Sequence, residues 1–235
     1  MEVIIPVLIV VAGSFVQTAI GFGLAVIAAP LLFFIDPAYV PAPITVAALT
    51  LSLANAWRFR HSISLAGLKF AILGRVPGTV AGGLLIFWID QRTLGLWLGI
   101  SVLVAVWLSF GKVAFRPTHG AMFSAGFLSG FMGTSSSIGG PPMALVLQHQ
   151  TADFIRANMA AFFVVSCIMS LAMLSFVGRF GEQHVLLSLP FMPASLLGYW
   201  LAMRSVHLIT SRMLRLGSLS LCAVAGLAAV ISYWM

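Results

Sequence analysis

The sequence predicts an all-α, polytopic membrane protein of two pseudo-symmetric, inverted repeats. Each repeat has four to five helical segments, with short or broken helices near the bilayer midplane. Three observations lead there. Of the 235 residues, 61% are hydrophobic and only 7% charged, against about 25% charged in a soluble domain. The apolar runs are long and unalternating, whereas membrane barrels alternate in strands of about ten residues. Finally, glycine and proline interruptions recur at matching places in residues 1–117 and 118–235, and paired interruptions of this kind point to transporter binding sites.

The elements follow in order. Val3–Ile20 is a full apolar segment, about 27 Å long as a helix. No basic region precedes it, so it reads as a retained first span rather than a cleaved signal peptide. It ends at Gly21-Phe22-Gly23. Leu24–Ile35 carries Pro30 and reaches only about 18 Å, short of a hydrocarbon core of roughly 30 Å. Pro41–Trp57, Leu68–Ile89 and Thr93–Phe110 complete the first half, and Lys112 to His119 is a polar connection. The second half restarts with Ala121–Met132, which runs into Gly133-Thr134-Ser135-Ser136-Ser137-Ile138-Gly139-Gly140-Pro141-Pro142. Two glycines and two prolines in succession cannot continue a straight helix, so a break is expected over Gly133–Pro142. Met143–Leu147, Ala157–Val177, Val185–Met203 and Leu214–Trp234 follow.

A shift of 112 residues lays Gly21 on Gly133 and Pro30 on Pro142. Charge then chooses the topology. If each break reverses the chain, each half has five segments and the second half is inverted. One side then receives Arg58, Arg60, Lys69, Lys112, Arg116, Arg156, Arg204, Arg212 and Arg215, and the other receives only Arg92 and Arg179. Four spans per half would divide the same residues almost evenly. The positive-inside rule favours the inverted arrangement, with both termini outside. The net charge of +7 is therefore a topology signal, spread singly between apolar segments, and predicts no nucleic-acid partner.

The candidate chemistry is anion binding. Short helices starting after each break would aim unpaired amides and positive dipole ends at the protein centre. Gly21, Gly23, Gly133, Gly139 and Gly140 would permit close backbone approach. Thr134, Ser135, Ser136 and Ser137 would donate hydroxyls, with Pro141 shaping the break. The alternative is that these small residues only let helices pack closely. Arg75 lies well inside a predicted span, where a charge is expensive and usually functional. The competing reading is snorkelling toward the surface near Lys69. His149, with Gln148 beside it, is a candidate for proton coupling, and Gln17, Thr18 and Asn55 are further polar residues in or beside spans. Cys167 and Cys222 read as buried small side chains without a redox motif. No HExxH, GxSxG or phosphate loop is present, and five acidic residues leave little for acid–base catalysis. No enzyme, cofactor or metal is expected. A membrane enzyme or assembly factor would need a titratable cluster at one face, and a channel would need a continuous pore.

The Gly21-Phe22-Gly23 and Pro30-Leu31-Leu32 stretches, with the Gly133–Pro142 stretch, resemble the TauE/SafE sulfite exporter family, also called the sulfonate uptake permeases. The resemblance covers nearly the whole chain, although Leu24 and Ala25 stand where many members carry glycines. It implies a multi-pass permease of the bacterial inner membrane for sulfite, sulfonates or related anions, driven by a proton or other ion gradient.

Overall fold

The computed structural model describes residues 3–110, 117–205 and 211–234. Glu2, Lys112, Arg116 and His207 lie outside them. The chain forms eleven helices among these residues and no strand: α1 (Ile4–Ile20), α2 (Leu24–Ile35), α3 (Ala42–Arg58), α4 (Leu65–Trp88), α5 (Gln91–Phe110), α6 (His119–Ser136), α7 (Gly140–Leu147), α8 (Ala152–Phe176), α9 (Glu182–Ser188), α10 (Phe191–Ser205) and α11 (Ser211–Trp234). Five stretches are long and apolar enough to cross a membrane: Pro37–Arg58, Leu65–Trp88, Gln91–Ser109, Ala152–Phe176 and Glu182–Ser205. The expected single helix Val185–Met203 is divided at Leu189-Pro190, because proline has no N–H to continue the ladder.

Local chemistry sets several helix starts. Thr118 and Thr151 cap α6 and α8, their hydroxyls accepting from the amides of Ala121 and Phe154 at 3.2 and 3.4 Å. Asp90 accepts from the Thr93 amide at 3.0 Å and so starts α5.

The twelve-residue α2 is buried continuously from Leu24 to Pro30. A helix apolar on every face belongs inside a bundle, and here Leu24, Leu32, Ile44, Leu51, Leu98, Ile138 and Phe191 form the core around it. The outer surface is apolar as well. Trp57, Trp88 and Trp234 are exposed at or next to helix ends, and Trp107 is exposed near the end of α5. That distribution suits a membrane interface.

The most extensive helix contact joins α4 to α6, and it is made of glycine. A Cβ at Gly74 would collide with the Phe123 carbonyl oxygen, one at Gly78 with that of Phe127, and one at Gly126 with that of Ala71. Gly82 and Gly130 also approach the Phe131 and Arg75 backbone, somewhat less closely. Four-residue glycine spacing lets two backbones touch where lipid offers no hydrophobic drive to associate. The next pair, α1 with α10, uses the same device: Gly198 lies against the Val11 carbonyl.

Candidate functional site

The first break is as short as the sequence implied. Gly21 closes α1 in the left-handed region (φ 93°), its amide donating to the Gln17 carbonyl at 2.7 Å, and Gly23 (φ 131°) precedes α2. Both backbone conformations favour glycine. The Gln17 side chain then accepts from the first amide of α2, Leu24 N–H, at 3.2 Å.

The second break is narrower than Gly133–Pro142. α6 runs on through Gly133, Thr134, Ser135 and Ser136, and only Ser137, Ile138 and Gly139 leave the helix. The serines stay helical because their hydroxyls donate back to carbonyls four residues earlier, Ser135 to Phe131 at 2.6 Å and Ser136 to Met132 at 2.8 Å. Ser137 takes the left-handed turn (φ 64°) and is held there by its hydroxyl donating to the Pro41 carbonyl at 2.9 Å. Pro141 and Pro142 fall in the first turn of α7, where no intrahelical N–H is required. They also delete two of that turn's amide donors, so α7 presents fewer N–H groups than a simple helix end.

The two breaks meet at a cavity of about 40 Å³. Gln17, Gly23, Ala25 and Val26 contribute one wall. Gly133, Ser137, Gly139 and Gly140 contribute another, and Thr45, Arg75, Ser166, Cys167 and Ser170 complete it. Arg75 is 2% exposed. Its Nη1 donates to the Ser129 hydroxyl at 2.9 Å, and its Nη2 donates to the Ser170 hydroxyl at 2.9 Å and the Ser166 carbonyl at 3.2 Å. Nε has no partner. The guanidinium lies 5.5 Å from the Phe162 ring centre. Gly133 makes room for it, since a Cβ there would stand 3.0 Å from Nη2. The side chain therefore turns inward and does not snorkel.

No carboxylate balances this charge among the described residues. Asp36, Asp90, Asp153 and Glu182 are all exposed, and the ion pair of Arg156 with Asp153 at 3.4 Å lies elsewhere. A buried cation ringed only by neutral hydroxyls and carbonyls is costly unless an anion joins it.

The remaining expected residues divide among other places. Thr134 is paired with Ser170 at 2.9 Å, and Ser135 accepts from the Trp97 indole at 2.8 Å; with Ser136 they brace the cavity rather than line it. Pro141 and Gln148 line a larger vestibule of about 390 Å³ with Phe22, Ser109 and Arg156. Phe22 rests on Gly140, whose added Cβ would sit 2.9 Å from the Phe22 Cβ, so this contact lies between vestibule and cavity. Arg156 donates to the Ala19 carbonyl through Nε at 3.1 Å and Nη2 at 2.8 Å, pinning the end of α1. Gly21 lines a third space of about 10 Å³ with Gln17, Thr18, Ser52, Asn55 and Arg156. His149 is exposed beyond α7 and lines none of the three.

Sequence reading missed Ser129, Ser166, Ser170 and Thr45, and treated Cys167 as filler. A signal was present, because Ser166 and Ser170 are four residues apart on one helix and so share a face.

These features define a class: a multi-pass helical membrane protein with a cationic cavity enclosed between broken helices. The chain belongs to the sulfite exporter TauE/SafE family, a family of membrane transporters whose model matches residues 5–229. Searches of curated proteins and of solved structures gave no match.

Proposed function

We propose that the protein is a secondary transporter of small sulfur-containing anions, sulfite or sulfonates, in a bacterial inner membrane, and that it binds its cargo at Arg75 between the two breaks. The observation that carries this reading is the uncompensated guanidinium: it is buried beside a cavity lined in part by hydroxyls, without a counter-ion among the described residues. Ser137, Gly139 and Gly140 would contact the anion from one side, and Gly23 and Gln17 from the other.

The helix contacts support a pseudo-two-fold arrangement of the two halves. Exchanging α1 with α6, α2 with α7, α3 with α8, α4 with α10 and α5 with α11 turns the α4–α6 contact into α10–α1. It turns α3–α10 into α8–α4, and α2–α11 into α7–α5; all of these contacts occur. The segregation of basic residues supports inversion of one half relative to the other. Alternating access would then expose the cavity to each side in turn, with the vestibule beside Phe22 as the approach from the basic side.

The test is flux of labelled sulfite and methanesulfonate into proteoliposomes, with and without an imposed ion gradient. Saturable, gradient-dependent flux that disappears in Gly139→Val or Gly140→Val, with membrane insertion intact, is the expected result. Normal transport by those variants would refute the site, and absence of sulfur-anion flux in the unaltered protein would refute the cargo.

A further inference from the structure

The geometry points to a site that selects monovalent oxyanions, so that sulfite is carried as bisulfite and its accompanying proton rides on the cargo rather than on a side chain. This rests on the transport reading above. The argument begins with charge. Arg75 on α4 is the one permanent charge lining the cavity. Facing it, α6 offers Ser129, Gly133 and the Thr134–Ser170 pair, and α8 offers Ser166, Ser170 and the thiol of Cys167. From the remaining walls come Gln17 of α1, Thr45 of α3 and the backbone of the two breaks. Arg156, on the neighbouring small space, is engaged by the Ala19 carbonyl and Asp153.

A single negative charge therefore neutralises the cavity. A second would remain unpaired in a buried interior of low dielectric, where an unmatched charge is strongly disfavoured. Bisulfite and sulfonates are matched; sulfite dianion and sulfate are not. Size agrees with this. At roughly 10–15 Å³ for each water, the cavity of about 40 Å³ takes a few water-sized groups, enough for a bare –SO₃ head.

The lining also bears on coupling. Among the described residues, Cys167 is the only lining side chain apart from Arg75 that ionises, and it is buried. His149 is exposed and is not part of the lining. With no carboxylate or imidazole to load, the proton on bisulfite is the one available to cross with the anion. It is released when bisulfite ionises on the other side.

The experiment is counterflow of labelled sulfite in proteoliposomes, corrected for protein-free vesicles, with methanesulfonate and sulfate as competitors and a pH-sensitive dye inside. Methanesulfonate, a monoanion throughout, should compete at least about tenfold better than sulfate and equally at each pH. The apparent KM for total sulfite should rise about tenfold per pH unit above sulfite's own ionisation, because only the bisulfite fraction binds. In vesicles loaded with buffer alone, net sulfite entry should acidify the lumen and methanesulfonate entry should not. Sulfate competing as well as methanesulfonate, or a sulfite KM that falls with pH, would overturn this inference while leaving sulfur-anion transport standing. No flux or competition by any sulfur oxyanion would overturn both.

Discussion

Replacing Arg75 by methionine removes the charge and keeps most of the side chain's length. Two opposing effects set the stability change. Placing an arginine at a helix centre in a membrane costs about 3 kcal/mol on insertion scales, and the variant is relieved of that. It loses three hydrogen bonds, worth about 1.5–3 kcal/mol each because the donor is charged. The hydroxyls left behind keep other partners, since Ser129 donates to the Gly139 carbonyl at 2.6 Å and Ser170 pairs with Thr134. The loss exceeds the relief by roughly 1.5–6 kcal/mol. At roughly 2–4 °C per kcal/mol for a chain of this size, Tm in detergent should fall by several degrees or more. Transport should behave very differently. Losing the charge partner of a buried anion removes about 3–5 kcal/mol, a hundred-fold or more in affinity. The assay is sulfite counterflow beside a thermal melt of the same preparation. Transport retained at the level of the unaltered protein, whatever the fall in Tm, would show Arg75 to be a structural residue alone and refute the reasoning.

Other substitutions test other parts of the structure. Gly78→Ala would press a methyl against the Phe127 carbonyl and should destabilise by about 1–3 kcal/mol or more. Gly120→Ala, with nothing within 4 Å of the new Cβ, should be neutral or slightly stabilising in the same melt. Phe22→Ala should open the contact on Gly140 and speed reaction of Cys167 with a charged methanethiosulfonate from the vestibule side, measured in a Cys222→Ala background. The Asp90 carboxyl is held below the usual carboxylate range by the Thr93 hydroxyl first and the Thr93 amide second. Its cap on α5 should therefore contribute stability above the ordinary carboxylate range and lose it as pH falls through the lowered value. Acid titration of the melt should show a small dependence that Asp90→Asn removes.

Much of the architecture was legible because it rests on composition and on breakers. Glycine at 21 and 23 acts locally, so the first break appears where those residues stand, while the prolines at 141 and 142 start α7 just after the second. The extent of the second break was not legible, since whether Ser135 and Ser136 leave the helix depends on hydroxyls folding back onto Phe131 and Met132. Pro190 was visible as a residue, but its effect was decided by whether the chain there could bend. For Arg75 the sequence left two destinations open. Its position inside the span suggested a role, while its inward turn depends on Gly133 of a distant segment leaving room and on Ser129, Ser166 and Ser170 supplying acceptors. Such side-chain convergence from α6 and α8 has no local sequence signature.

The glycine seam between α4 and α6 fixes what can travel as one piece. Where backbone rests on backbone there are no long side chains to slide or repack, so the pair acts as a single stiff beam that carries Arg75 and Ser129 together. α1 and α10, joined at Gly198, form a second beam carrying Gln17 and leading into Gly21 and Gly23. Each beam takes one helix from each half of the chain. A hinge drawn through the midpoint of the sequence would cut both seams. A movement that prises the guanidinium away from the first break leaves them intact, and the cavity would open along the line between the beams.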